Sequence, residues 1–197
     1  LDLSDASGSE DGAISLDISS ALTDTDGSES LSVTISDVPD GAVLSAGTDN
    51  GDGTWTLSAD QLEDLTITPP EDFSGTFDLS VTSTSTEANG GDTADTLGTI
   101  TVDVAAIADE ADVAITDAVG TEDTAIALNI TAASTDADGS ESVSVTISGI
   151  PDGAVLSDAA GNPITISDGS ADLTTDQLEG LTITPPADSD VDFTLDV

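Results

Sequence analysis

The chain has 197 residues, of which 41 are Asp or Glu, and it has no Lys, Arg, His, Cys or Tyr, so its formal charge at pH 7 is −41. Nucleic acids and anionic membrane surfaces are excluded as partners, because proteins bind both through Lys and Arg. The same absences remove Ser-His triads, Cys nucleophiles and Schiff-base lysines, so we expect neither an enzyme nor a small-molecule substrate.

Alternating apolar residues predict β-strands from the start of the chain. In residues 13–18 and again in residues 31–36, every second side chain is Ile, Leu or Val, which is the pattern of a strand with one buried face. A turn at residues 39–45 leads into a short strand, and further strands are predicted at residues 77–81 and 97–104. No apolar run approaches the roughly 20 residues of a membrane span, so we expect no membrane insertion.

An internal repeat divides the chain. The acidic heptad of residues 24–30, Asp-Thr-Asp-Gly-Ser-Glu-Ser, returns 112 positions later at residues 136–142 with one change. The block Pro-Asp-Gly-Ala-Val-Leu-Ser of residues 39–45 returns unchanged at residues 151–157. Later blocks are offset by 116 positions, and the apolar alternation of residues 77–81 is repeated at residues 193–197. Two copies of one domain are therefore predicted.

The predicted fold class is all-β, with two tandem β-sandwich domains of about seven strands each. The first domain covers residues 1–105, an acidic linker covers 106–112, and the second domain covers 113–197. Val197 aligns with Val81, so the second repeat is expected to lack its last strand, the counterpart of residues 97–104.

The repeated heptad is a candidate calcium site. Asp24, Asp26 and Ser28 place oxygen atoms at alternating positions of a turn, and Glu29 adds a carboxylate that can bind through both oxygens. No cationic side chain is present to neutralise them. Three clustered carboxylates repel by on the order of 10 kcal/mol without a cation, and Ca²⁺ takes six to eight oxygen ligands. The second copy offers Asp136, Asp138, Ser140 and Glu141. The spacing is not that of an EF-hand, and an Asx-type turn between two strands is the alternative.

Further carboxylates surround the predicted junction between the repeats. A pair precedes the first long strand of each copy, and three more lie in or beside the linker. These candidate metal ligands are Glu10, Asp11, Asp109, Glu110, Asp112, Glu122 and Asp123. A solvated acidic face is the alternative interpretation of the same residues.

Several blocks in a fixed order resemble the tandem extender repeats of very large bacterial RTX adhesins. They comprise residues 10–16, 24–30, 33–36, 39–45 and 65–70. The resemblance implies Ig-like or cadherin-like sandwiches, type I secretion to the bacterial cell surface, and calcium-dependent rigidity. It assigns calcium binding to Asp24, Asp26, Glu29, Asp136, Asp138 and Glu141.

The expected function is that of a calcium-stiffened spacer that projects terminal ligand-binding domains of an extracellular adhesin. Its partners would be neighbouring repeats of the same chain, in a monomeric rod. Two alternatives remain open at this stage: a calcium-dependent binding module for its own kind or for glycans, and a paired-carboxylate hydrolase. A halophile-type acidic surface would explain the charge without specific calcium sites.

Overall fold

β-Strands form most of the regular structure in residues 1–24, 26–136 and 139–197, which are the residues that the computed structural model describes. The all-β class expected from the apolar alternation is confirmed at the level of a mostly β chain with several sheets. The chain divides into two units, Leu1–Ile107 and Ala108–Val197. In the described part of the chain, no helix has the length and apolar character needed to cross a membrane.

The first unit contains one large sheet and one small sheet. Its strands are β1 (Asp2–Leu3), β2 (Ala6–Ser9), β3 (Ile14–Ser15), β4 (Ile18–Ser19), β5 (Glu29–Ser36), β6 (Val43–Leu44), β7 (Thr48–Asp49), β8 (Trp55–Ser58), β9 (Thr66–Thr68), β10 (Gly75–Glu87) and β11 (Thr93–Ala105), with a 3-10 helix at Ala59–Leu62. The large sheet has the order β2-β11-β10-β5-β8-β7, and the small sheet has the order β3-β9-β6. Strands β1 and β4 pair separately.

The two sheets of the first unit share one hydrophobic core. Val33 on β5 and Ile100 on β11 are fully buried from the large sheet, and Ile67 on β9 is fully buried from the small sheet. Burying one such side chain contributes roughly 1.5–3 kcal/mol. The alternation of buried and exposed residues along β11 shows which of its faces lies against the core.

The hairpin β10–β11 positions the end of the first unit. Its register runs from Gly75 opposite Val104 to Thr86 opposite Thr93. Near its end, β11 also runs parallel to β2, so that Val102 lies opposite Ala6. This pairing brings the residues after β11 beside the loop that follows β2.

The second unit repeats the first part of this arrangement with shorter strands. They are β12 (Asp112–Thr116), β13 (Ile126–Ala127), β14 (Asn129–Ala133), β15 (Ser144–Ile147), β16 (Val155–Ser157), β17 (Ala171–Thr174) and β18 (Thr182–Thr184), with a short helix α1 at Thr175–Leu178. The pairings are β12 with β14, β13-β18-β16, and β15 with β17. Ile147, Leu156 and Leu181 are fully buried at the centre of its core.

Two predicted strands differ from the structure. Residues 13–18 form β3 and β4 rather than one strand, because β3 pairs with β9 and β4 pairs with β1. Residues 193–197 make only an isolated bridge, between Ser148 and Asp196, and not a continuous strand. The corresponding strand of the first unit, β10, is held by neighbours on both sides.

Candidate metal centre

A buried carboxylate lies in the loop between β2 and β3. The Glu10 side chain is only 4% exposed. Its backbone N–H donates to the carbonyl of Ala105 at 3.1 Å, and its Oε1 accepts a hydrogen bond from the backbone N–H of Ile107. Its Oε2 is buried and has no hydrogen-bond partner in the part of the chain that the structure describes. The end of β11 therefore covers Glu10 and leaves one carboxylate oxygen unsatisfied.

Asp11 and Asp72 meet beside this carboxylate. The Oδ1 of Asp11 accepts a hydrogen bond from the backbone N–H of Asp72 at 3.2 Å. Carboxylate oxygens of the two residues lie within 4.8 Å of each other. Both residues have positive φ, 55° for Asp11 and 56° for Asp72, a conformation that Asp tolerates better than most residues. The backbone thus turns tightly at each residue and brings two like charges together.

Asp11 and Asp72 belong to an acidic group that could hold a metal ion. Carboxylate oxygens are the ligands that hard divalent cations prefer.

The second unit repeats the aspartate pair but not the buried glutamate. The backbone N–H of Asp188 donates to Oδ1 of Asp123 at 3.0 Å, and both residues again have positive φ. Glu122, which corresponds to Glu10, is exposed. The local turn geometry is therefore a property of the repeat, whereas burial of the glutamate depends on β11.

The acidic loop of the first unit is organised by its own hydrogen bonds. The Oδ1 of Asp24 accepts from the N–H of Asp26 at 3.0 Å, and the Oδ1 of Asp26 accepts from the N–H of Ser28 at 2.8 Å. Hydrogen bonds from the side chain and backbone of Ser28 lower the pKa of Asp26 below 3.8. These contacts form the Asx-type turn that the sequence left open as an alternative.

A second contact links this loop to the hairpin β10–β11. The Ser28 hydroxyl donates to Oε1 of Glu87 at 3.1 Å. Glu29 lies directly opposite Glu87 in the pairing of β5 with β10. Like charges in such a cross-strand position destabilise a sheet unless they are neutralised.

The acidic loop of the second unit contacts the start of that unit. Glu141 accepts hydrogen bonds from the N–H of Asp109 at 2.5 Å and from the Ser134 hydroxyl at 2.8 Å. The Ser140 hydroxyl donates to Oδ2 of Asp136 at 2.9 Å. Asp138 lies outside the described residues.

The linker carboxylates differ in their surroundings. The backbone carbonyl of Glu110 accepts a hydrogen bond from the Thr135 hydroxyl at 3.1 Å. Asp112 is exposed and is the first residue of β12, opposite Ala133. Within the described ranges, the carboxylates of the two acidic loops do not converge in groups of three.

Sequence reasoning missed Asp72 as a candidate ligand. A signal was present, because Asp72 and Asp188 both follow a Pro-Pro pair by two residues, at the offset of 116 that relates the later blocks. Retention of one carboxylate beside otherwise different residues would have pointed to it.

No protein-family model matches the chain, and no curated protein matches its sequence.

Proposed function

We propose that this chain is a calcium-rigidified structural extender module of a bacterial cell-surface adhesin, built from two tandem Ig-like or cadherin-like β-sandwiches. It would act outside the cell after type I secretion, as a monomeric spacer without catalytic activity. The observation that carries the proposal is Glu10, a buried carboxylate with one unsatisfied oxygen in a chain without any basic side chain.

The energetics favour a cation near Glu10. A buried charge without a partner is costly, by several kcal/mol for a single ion. Asp11 and Asp72 add repulsion between like charges, because their carboxylate oxygens lie within 4.8 Å of each other. A divalent cation would remove both penalties, and an ion bound only by the folded state stabilises that state.

Calcium is the cation whose chemistry fits this group. Every side-chain ligand that the chain can supply beside Glu10 is an oxygen, and Ca²⁺ accepts six to eight oxygens in flexible geometry. Mg²⁺ demands near-ideal octahedral geometry and releases its waters reluctantly. The proposed ligands are Glu10, Asp11 and Asp72, with backbone carbonyls and waters completing the sphere.

Stiffness would follow from where these ligands lie in the chain. Glu10 and Asp72 belong to the first unit, and the residues at the end of its last strand, β11, cover Glu10. With calcium bound, this end of the first unit would be fixed. Without calcium, repulsion among Glu10, Asp11 and Asp72 would loosen it. The metal-loaded module would then hold a defined extension, which is what a spacer requires.

Calcium titration calorimetry combined with thermal unfolding tests calcium binding. We expect saturable heat on adding Ca²⁺ and a higher melting midpoint of the first unit, followed by the fluorescence of its single tryptophan, Trp55. At a calcium concentration about 100 times Kd the stabilisation is about 2.7 kcal/mol. Mg²⁺ should give a smaller shift. If NaCl of matched ionic strength reproduces the whole calcium effect, the acidic surface acts by screening and the specific site is refuted.

Small-angle scattering tests the spacer role separately. We expect calcium to narrow the distribution of interatomic distances relative to the same chain in EGTA. Profiles that superimpose in calcium and EGTA, in a sample whose calorimetry shows binding, would refute stiffening and leave calcium binding intact.

A further inference from the structure

Two of the chain's four asparagines, Asn50 and Asn89, stand directly before a glycine. Of the other two, Asn162 precedes a proline and Asn129 precedes an isoleucine within β14. Glycine has no side chain to hinder attack of its backbone nitrogen on the amide carbon of the preceding asparagine. The attack needs an amide that can rotate and a glycine N–H that can lose its proton. The surroundings of each Asn-Gly pair therefore decide whether it can react.

Hydrogen bonds hold the first pair in place. The side-chain amide of Asn50 donates to Oγ1 of Thr54 at 2.9 Å and to Oγ1 of Thr56 at 3.1 Å. The backbone N–H of Gly51 donates to Oδ1 of Asp49 at 2.8 Å. A carboxylate acceptor makes a stronger hydrogen bond than a neutral one, so it opposes loss of the Gly51 proton. Both groups that the reaction needs are thus engaged at Asn50.

The second pair lies at the tip of the hairpin β10–β11, where Asn89 and Gly90 are exposed. Among the residues that the structure describes, neither the Asn89 side chain nor the Gly90 N–H makes a hydrogen bond. The tip is closed by other groups, because the N–H of Gly91 donates to the carbonyl of Glu87 at 3.2 Å and the N–H of Glu87 donates to the carbonyl of Asp92 at 2.9 Å. Asn89 can therefore rotate toward Gly90 without breaking a hydrogen bond.

Charge and space do not distinguish the two pairs. Carboxylates flank both of them in the sequence, Asp49 and Asp52 around the first pair and Glu87 and Asp92 around the second. A Cβ added at either glycine would meet no atom within 4 Å apart from its chain neighbours. The difference between the pairs lies in their hydrogen bonds.

We propose that Asn89 is a site of spontaneous deamidation and that the fold protects Asn50 from the same reaction. The backbone nitrogen of Gly90 bonds to Cγ of Asn89, the C–N bond of the side-chain amide breaks, and ammonia leaves with the Gly90 proton. One water then opens the resulting succinimide at either of its two carbonyls, which gives aspartate or isoaspartate. The reaction consumes only water and needs no enzyme or cofactor.

The modification changes the surface beside the acidic loop of the first unit. The N–H of Ala88 donates to the carbonyl of Ser28 at 2.8 Å, so the hairpin tip is attached to that loop. Deamidation adds one carboxylate at the tip of a chain whose formal charge is already −41. The isoaspartate form also lengthens the backbone within the turn that the bond from Gly91 to Glu87 closes. This inference does not depend on calcium binding around Glu10.

Peptide mapping after incubation of the full chain in mildly alkaline buffer tests the proposal. Cleavage after glutamate places Asn50 in the fragment 30–63 and Asn89 in the fragment 88–110, so mass spectrometry follows the two conversions separately. In the folded chain we expect conversion at Asn89 to be faster by about tenfold or more, because the other pair must first lose several hydrogen bonds. In urea, where those bonds are absent, the two rates should converge.

Asp49→Ala is the matched variant, because it frees the N–H of Gly51 and leaves the fragment 88–110 unchanged. It should accelerate conversion at Asn50 severalfold and leave the rate at Asn89 as it is. Unfolding followed by Trp55 fluorescence verifies that the first unit folds in this variant. Equal rates at the two asparagines in the folded parent chain would overturn the proposal. An unreactive Asn89 in the folded chain, with conversion of both pairs in urea, would overturn it as well.

Discussion

Glu10 and Glu122 show how one residue acquires different properties in two copies of the same sequence. Both occupy the same position of the repeat, and both precede an aspartate with positive φ. Only Glu10 is buried, because Ala105 and Ile107 contact it. Cation binding by the first unit should therefore depend more on Glu10 than on any other ligand.

Replacing Glu10 by Gln tests this dependence, because the resulting change in melting midpoint should have opposite signs in calcium and in EGTA or vanish in EGTA. We expect Glu10→Gln to weaken calcium binding by roughly tenfold or more, since affinity follows the charge count of the ligands. In calcium the melting midpoint of the variant should fall below that of the parent chain. In EGTA it should equal or exceed it, because the uncompensated buried charge has been removed. Calorimetry and Trp55 fluorescence measure the two effects.

Glu122→Gln is the matched control, because Glu122 holds the equivalent position and is exposed. By calorimetry, its free energy of unfolding should stay within about 0.5 kcal/mol of that of the parent chain in both conditions. A Glu10→Gln variant that is less stable than the parent in EGTA as well would contradict an uncompensated buried charge at Glu10.

Asp158 gives a pH-dependent contribution to a turn of the second unit. Its carboxylate accepts hydrogen bonds from the N–H of Ala160 at 2.9 Å, and from the N–H and side-chain amide of Asn162 at 2.8 and 2.9 Å. The bonds from Asn162 are the main reason that the pKa of Asp158 lies below 3.8. The turn is therefore stabilised when Asp158 is ionised.

The sign of the pH effect follows from the lowered pKa. The stabilisation is complete above the unfolded-state pKa of about 3.9 and is lost as the pH falls through the folded-state value. We expect hydrogen exchange at Asn162, relative to its intrinsic rate, to become faster as the pH falls below the unfolded-state pKa. Asp158→Asn should remove this pH dependence, and Asp152→Asn should preserve it. Persistence in Asp158→Asn would assign the effect to another group.

At the scale of elements, the alternation of apolar residues predicted the strands that pair with another strand on each side. Residues 31–36 and 97–104 lie within β5 and β11, and their apolar residues at positions 33, 35, 100, 102 and 104 face the core, whereas Leu97 is exposed. The division of residues 13–18 into β3 and β4 was not predictable, since it depends on which distant strands each half pairs with. Burial of Glu10 depends in the same way on a contact across 97 positions.

Strand β11 offers a matched pair of substitutions for measuring its contribution to the first unit. Ile100 is fully buried, whereas Leu97 on the same strand is 73% exposed. We expect Ile100→Ala to lower the free energy of unfolding by about 2–5 kcal/mol, because it leaves a cavity in the core. Leu97→Ala should change it by about 0.5 kcal/mol or less. Urea unfolding followed by Trp55 fluorescence measures both values, and similar losses would contradict the assigned facing of β11.

At the scale of the whole molecule, charge of one sign dominates. All ionisable side chains are carboxylates, so side-chain salt bridges cannot form and cannot be lost on adding salt. Net charge of this size destabilises the folded state through self-repulsion. The melting midpoint should therefore respond to ionic strength in general as well as to calcium specifically. The two responses should occur at different salt concentrations.

We expect the melting midpoint in EGTA to rise steadily with NaCl, most steeply at low salt. The Debye length falls from about 30 Å at 0.01 M to about 8 Å at 0.15 M, so repulsion between distant carboxylates is largely screened over this range. Tetramethylammonium chloride should give the same curve as NaCl, because screening depends on ionic strength and not on the cation. A midpoint that is flat across this range would show that the carboxylates lie too far apart to repel. A curve that depends on the monovalent cation would show site binding of that cation.

Screening alone predicts that Ca²⁺ added in the presence of 0.15 M NaCl has little further effect on the melting midpoint. Occupation of the group around Glu10 predicts a further rise that Glu10→Gln abolishes.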